Sequence, residues 1–408
     1  MRRYQIAVVM FIMTLLGVSN IKSAKASSVD MKSLVKGNTG FALDLYSVLK
    51  KEEGNLFFSP YSISAALAMT YGGARGNTEK QMKEVLHLTL EWKKTHSAFA
   101  EFDTKLNEVQ KKGKVQLHIA NSLWPRKDYR LLPEYISLIK KYYGVSVTSL
   151  DYVNAAEKAC KIINKWVEDK TKEKIKDLIR KDDLDPKTIL ILVNAIYFKG
   201  NWASQFYLGL TMDSDFTLSS GQKKRVPMMY QRGKFGYKEL ETAQLLELPY
   251  AGKDMSMIIM LPKGANALSE FENRLSVENF DSWLSYIPQK KVKVFLPKFK
   301  IMWGTFKLNK PLKALGMRDA FSSRADFSGM DGTKNLFLGL VLHKAFVEVN
   351  EEGTEAAAAA VGRPMIGMDI SKVHAFRADH PFVFLIRDNT TGSILFLGRV
   401  VDPSKEKY

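Results

Sequence analysis

"TILILVNAIYFKG", Thr188 to Gly200, is a nearly continuous apolar run rich in β-branched residues. A strand with one face in water alternates apolar and polar side chains, and a run without that alternation belongs to a strand covered on both faces. A chain carrying this segment must build a sheet with layers on either side. "LELPY", "MSMIIMLP", "VKVFLPKFK", "FVFLIR" and "SILFLGRVV" read as further short strands between Gly, Pro and Asn turns.

The first part of the chain has helical periodicity instead. "SSVDMKSLVKGNTGFALDLYSVL", "AFAEFDTKLNEV", "EYISLIKKYYG" and "AAEKACKIINKWVEDKTKEKIKDLI" each repeat apolar residues at helical spacing. "SPYSISAALAMTYGGA" places Ser59 as an N-cap, Pro60 at the first helical position and Gly72-Gly73 at the end. "NTEKQMKEVLHL" predicts a helix capped by Asn77 or Thr78. Helices early and strands late, with no linker between, predict an α+β domain. At 408 residues the chain is long for one domain, but 46% hydrophobic and 25% charged residues suit a soluble protein with a sizeable core.

Arg2 and Arg3 precede the apolar run "IAVVMFIMTLLGV", and "AKA" (Ala24 to Ala26) offers small residues at a cleavage point. That layout predicts a secretory signal peptide over residues 1–26 and a secreted, extracellular (or periplasmic) mature protein starting near Ser27. The run is too short to span a bilayer, which takes about 20 residues, and no later segment reads as a membrane span. Residues 1–26 hold four Lys/Arg and no acid, which leaves +14 of the chain's +18 on the rest. A basic secreted protein attracts polyanions such as a heparin-like polysaccharide. The lysines nevertheless scatter, with "QKKGKVQLH" and "IKKYY" as the densest stretches. Cys160, the only cysteine, lies on an amphipathic helical pattern and reads as a small buried hydrophobe. With no partner for a disulfide, the fold must hold by its core.

No G-x-S-x-G elbow, Walker loop or H-E-x-x-H motif is present, and the six histidines are dispersed. Neither an enzyme nor a metal or cofactor site is expected. What stands out is "EEGTEAAAAAVGRPMIGM", Glu351 to Met368, between two strand-like stretches. As a strand it would place Thr354, Ala356, Ala358 and Ala360 on one small, uncharged face, with Glu355, Ala357 and Ala359 on the other. Such a strand can enter a crowded sheet without overlap, and Gly353 stands where a hinge would need unusual backbone angles. As a surface helix the same residues would be capped by Thr354, and local propensity alone favours the helix. The two readings are compatible if the segment changes state.

Several motifs in order resemble the serpin family. "NLFFSPYSISAALAMTYGGARGNTEKQM" is similar to its early helical signature, and "VNAIYFKGNW" to its central-sheet strand. "LELPYAGKDMSMIIMLP", "VFLPKF", "LVLHKAFVEVNEEGTEAAAAA" and "DHPFVFLIRDNTTGSILFLGRVVDP" follow the same family, so the resemblance spans about Met31 to Pro403. It implies one domain over residues 27–408, with helices packed around a large central sheet, two smaller sheets and an exposed mobile reactive loop at about 351–375. It also implies a monomeric suicide inhibitor of serine (or cysteine) endopeptidases. The protease attacks a bait bond, the cleaved loop inserts into the central sheet, and the covalent acyl-enzyme is trapped. The hinge carried over is Glu351, Glu352, Gly353, Thr354, Glu355, Ala356, Ala357, Ala358, Ala359 and Ala360. Ser59, Ser62, Asn194 and His343 match the shutter beneath the central sheet, and Trp202 with Glu351 the breach where insertion starts. The family's spacing from Glu351 puts the reactive bond at Gly367–Met368, with Met368–Asp369, Met365 and Arg363 as alternatives. Pro364 stands against the far end of insertion, because proline cannot donate to a ladder. The rival implied by the same family is a non-inhibitory member acting as carrier, chaperone or polyanion binder. Asn389 begins an N-T-T sequon.

Overall fold

The computed structural model describes residues 27–185, 188–354 and 373–405. The targeting segment expected over residues 1–26 lies outside the described residues. No described helix is long and apolar enough to cross a membrane.

The apolar run Thr188–Gly200 forms the strand Leu190–Asn201 of a five-stranded sheet. Its alternate residues serve two different cores. Leu190, Leu192, Ile196 and Phe198 join the main hydrophobic cluster, whereas Ile191, Val193, Ala195 and Tyr197 join a second one. The second cluster is closed by the helix Ala156–Lys170 through Ala159, Cys160, Ile163 and Val167. Burial on both faces therefore accounts for the missing alternation. Cys160 is buried as expected, and desolvation raises its thiol pKa, which keeps it protonated.

The five strands run in the order Val115–Pro125, Leu190–Asn201, the short Gly353–Thr354, Leu338–Val349 and Phe299–Lys307. Four of the ladders are antiparallel. The exception is central: Leu190–Asn201 and Leu338–Val349 run parallel and pair directly, from Leu338↔Leu190 to Phe346↔Tyr197. The remaining strands form a nine-stranded sheet. In it the two smaller sheets implied by the family resemblance are joined by the long strand Lys223–Glu239, which pairs in turn with Met212–Thr217, Gln289–Pro297 and Ala243–Pro249.

Ser59 caps the helix Pro60–Tyr71 as expected, its Oγ accepting from the Ser62 N–H at 3.2 Å. The next helix corrects the expectation of a cap at Asn77 or Thr78. It starts at Gly76 with no side-chain cap, and both polar groups are used in tertiary contacts. Asn77 Nδ2 donates to Asp319 Oδ2, and Thr78 Oγ1 accepts from the Asp326 N–H. The pattern "AAEKACKIINKWVEDKTKEKIKDLI" is also helical over a shorter range than its periodicity suggests. The helix stops at Lys170; Lys172, Glu173 and Asp177 take positive φ, and Ile175, Leu178 and Ile179 fold back into the second cluster. Burial of those three side chains outweighs the helical propensity of the lysines and glutamates between them.

Candidate functional site: a slot in the central sheet

Two groups of residues define the site, one across the middle of the parallel pair and one at its upper end. In the middle, Asn121, Asn194 and His343 stand side by side on three neighbouring strands. All three point to the main core, where the first turn of helix Pro60–Tyr71 lies beneath them. The Ser59 backbone N–H donates to His343 Nε2 at 3.2 Å, so Nε2 is the acceptor and Nδ1 carries the proton. That proton is donated to Asn194 Oδ1 at 2.5 Å. Asn194 Nδ2 donates to Ser62 O (3.0 Å), to Ser62 Oγ (2.5 Å) and to Asn121 Oδ1. Ser59 Oγ donates to Leu395 O at 2.6 Å, which ties the network to the nine-stranded sheet. The four residues carried over as a shutter thus form one connected network. Asn121 belongs to it too and was missed, because nothing in "IANSLW" reveals which strand it borders.

The network clamps the two parallel strands together, since its His343–Asn194 bond crosses between them. Complete burial pushes the His343 pKa down to about 3, so the imidazole is neutral in the fold. A proton on Nε2 would also face the Ser59 N–H donor to donor.

At the upper end the pair is wedged apart. The strand Gly353–Thr354 sits between the two, antiparallel to both, with Thr354 opposite Gly200 on one side and Val349 on the other. Thr354 is wholly buried, as the small face of the sequence pattern requires, and its Oγ1 is 2.9 Å from Tyr250 Oη. Tyr250 in turn stacks on Trp202, with ring centroids 4.8 Å apart. Trp202 Nε1 donates to Asn350 O at 3.0 Å, and its backbone N–H donates to Glu352 O at 2.7 Å. Glu351 is buried beside them. Its carboxylate accepts from Thr211 Oγ1 at 2.7 Å and pairs with Lys298 Nζ at 3.0 Å. Burial alone would raise its pKa, but the Thr211 and Lys298 contacts outweigh it and hold the carboxyl below its usual range.

Gly353 corrects one part of the sequence reading. It is not among the glycines with positive φ, so backbone freedom does not explain it. The cause is a close approach: a Cβ there would lie 2.1 Å from Gly200 O and 2.5 Å from Asn201 Cα. Only glycine lets the wedge enter between the strands. Tyr250, Lys298 and Thr211 were likewise not singled out from sequence. Tyr250 lies in the quoted "LELPY", but its contact with Thr354 depends on a register the sequence does not display. Glu355, Ala356 to Ala360, Arg363, Met365, Gly367 and Met368 lie outside the described residues.

Comparison with known proteins agrees with this geometry. The family model "Serpin (serine protease inhibitor)" matches residues 36–403. A leukocyte elastase inhibitor of Sus scrofa is 44% identical over 384 residues, covering 91% of this chain and all of that protein. Serpin48 of the insect Tenebrio molitor, described as a highly specific serpin, superposes with a TM-score of 0.81 at 33% identity, covering 92% of this chain and 99% of its own. Arabidopsis AtSerpin1, solved in its native stressed conformation, gives 0.83 at 29% identity, covering 93% of this chain and all of its own. The chain belongs to the serpin family of serine protease inhibitors, and its relatives are inhibitors of proteases, not enzymes.

Two outcomes follow. Because His343 is neutral in the fold (pKa about 3) and near 6.5 when unfolded, only the unfolded chain takes up its proton between those values. Stability is complete above pH ~6.5 and falls by up to about 1.4 kcal/mol per pH unit below it. Denaturant midpoints from pH 7 to 4 should therefore drop more steeply in the wild type than in His343→Asn; parallel curves would contradict the assignment. Gly353→Val should expel the wedge, costing about 1–3 kcal/mol of native stability, read as a lower midpoint together with faster hydrogen exchange at Thr354.

Proposed function

We propose that the protein is a secreted inhibitor that traps serine proteases by inserting its cleaved reactive loop between Leu190–Asn201 and Leu338–Val349. The observation that supports this most is the wedge. Parallel neighbours inside an otherwise antiparallel sheet leave a place where an incoming antiparallel strand can pair on both sides. Gly353–Thr354 already occupies its mouth in that direction.

The energetics favour the inserted state. The two strands now share one parallel ladder, the weaker kind per residue. Insertion gives up that ladder and gains two antiparallel ones. Meanwhile the His343–Asn194 bond has to open, and that bond, with the apolar packing around it, holds the native state in place. Full insertion from Thr354 to Gly367 would carry the bait bond about 46 Å, at about 3.3 Å per residue. Displacing catalytic groups by ~1 Å already costs about a hundredfold in rate, so an acyl-enzyme dragged that far cannot complete hydrolysis.

The bait bond is assigned to Gly367–Met368, by its spacing from Glu351. A glycine or methionine there suits a protease with a small or apolar primary pocket, and the elastase inhibitors among the relatives point the same way. Secretion rests on the signal-peptide pattern of residues 1–26. A non-inhibitory carrier or polyanion-binding role is the rival.

Incubation with elastase-, chymotrypsin-, trypsin- and subtilisin-like proteases should yield an SDS-stable complex with at least the first, and mass analysis of the released peptide should begin at Met368. If every protease cleaves the loop and stays active, the rival holds. Thr354→Arg puts a charge on the inserting face and should turn the protein from inhibitor into substrate. Its stoichiometry of inhibition should rise at least about tenfold, as burying an unpaired charge costs several kcal/mol, while unchanged inhibition would rule out insertion through this slot.

A further inference from the structure

The outward face of the strand pair Lys223–Glu239 and Gln289–Pro297 sets like charges in register. Arg232 stands opposite Lys293, and Lys234 opposite Lys291. Their neighbours Gln231, Phe235, Val292 and Val294 point inward and are buried, whereas Arg232, Lys234 and Lys293 are exposed. Directly opposed side chains in such a pair begin about 5 Å apart, and like charges there weaken the sheet. Among the described residues no carboxylate pairs with Arg232, Lys234 or Lys293. This face therefore carries a local electrostatic cost that a partner's acidic groups would relieve.

The next row of the same face is aromatic. Tyr230 stands opposite Phe295, and the Arg377 guanidinium lies 4.8 Å from the Phe295 ring centroid. Tyr207 packs against Tyr230 and leads into Leu208, Leu210 and Met212, which are 54%, 45% and 65% exposed. Met212 pairs with Met228, two residues before Tyr230, so the cations and the apolar residues form one surface. A sulfated polysaccharide would use the cations and leave the leucines in water. A protein partner uses both, since exposed apolar patches beside charged rims mark protein interfaces.

The surface lies between the two ends of the reactive loop. On one side Thr211 binds Glu351, just before the hinge. On the other, the returning strand His374–Arg377 pairs with Gln289–Pro297. Five residues lie between Met368 and His374, so the two are at most about 22 Å apart along the chain. A protease domain of about 230 residues has a radius of gyration of about 17 Å, so an enzyme seated on the bait bond is large enough to reach this face.

We propose that the face formed by Arg232, Lys234, Lys291, Lys293 and the Leu208–Met212 segment is a second docking surface for the target protease, selecting an enzyme with an acidic patch beside its active-site cleft. The inference rests on the proposed inhibitory function. Opposite charges steer encounter and act on the association rate more than on later steps. The face thus sets which elastase-like enzyme is met fastest, and the bait bond sets which one can cut.

The test uses the full chain with Arg232→Ser and Lys293→Ser combined, and two elastase-like proteases of equal primary specificity but opposite surface charge. The reading is the second-order rate at which the loop is attacked, counting trapped complexes and cleaved chains together, as salt is raised from ~0.05 to ~0.5 M. With the acidic-surfaced enzyme the double variant should react about tenfold or more slowly at low salt. Its salt dependence should flatten, while the ratio of trapped to cleaved chains stays the same. The basic-surfaced enzyme should react no more slowly with it. Leu208→Ser with Leu210→Ser should slow the acidic-surfaced enzyme at high salt as well. An unchanged rate and salt slope in the double variant would overturn the proposal. So would unchanged rates with lost retention on heparin resin, which would reassign the face to a polyanion. Were the protein cleaved without trapping, the attack rate would still report docking, so failure of inhibition and failure of docking remain separate results.

Discussion

The parallel ladder between Leu190–Asn201 and Leu338–Val349 is the constraint on which the rest of the molecule depends. In a sheet whose other ladders are antiparallel, two parallel neighbours have room between them, in hydrogen-bonding terms, for one more strand of opposite direction. Widening the gap by one strand spacing, about 4.8 Å, would turn a weaker ladder into two stronger ones. On the proposed mechanism the fold rests in an arrangement its own chain can improve on. On the same proposal it stays there because the first step is costly: a buried hydrogen-bond network and packed side chains must separate before any new strand pairs.

The two residue groups divide that task. His343 and Asn194 hold the strands closed at the middle, through a neutral imidazole whose tautomer is set by the Ser59 N–H. Gly353 and Thr354 hold them open at the top, on a turn fixed by buried Glu351 and its Lys298 partner. A slot closed along its whole length would have no entry point, and one open further down would let the uncut loop slide in. The wedge can enter at Gly353 because glycine meets the Gly200 carbonyl where no Cβ fits. Trp202 and Tyr250 back this point with stacked rings, whereas the middle is held by the His343–Asn194 hydrogen-bond network.

Much of this was legible in the sequence, and for identifiable reasons. The run Thr188–Gly200 declared a strand covered on both faces because period-two alternation was missing, and two separate cores meet on it. Ser59 declared its cap through Pro60 behind it. Thr354 declared a small residue on a buried face. Relations between segments were not legible. Asn121 joins the shutter, Tyr250 meets Thr354, and Arg232 faces Lys293 only through strand registers set far apart in the chain. The lysines that looked scattered along the sequence are gathered by pairing: "QRGKF" and "QKKVKVF" are each unremarkable, and together they make a cationic ladder. Helix ends failed for a similar reason. Beyond Lys170 the local preference is helical, but Ile175, Leu178 and Ile179 are claimed by a core their own segment cannot foresee.

The slot and the cationic face act on different steps of one proposed sequence. Encounter is bimolecular and responds to charge at distances up to the Debye length, about 8 Å at physiological salt. The race between insertion and deacylation begins only after the bait bond is cut, and it depends on how quickly the parallel strands part. Changes at Arg232 or Lys293 therefore leave the outcome of that race untouched, and changes at Thr354 or His343 leave the encounter untouched. Specificity for an enzyme can then shift by surface charge alone while the metastable sheet, where most substitutions would be costly, stays as it is. The separation follows from the geometry: the face lies on the outward side of the nine-stranded sheet, and the clamp lies beneath the five-stranded one.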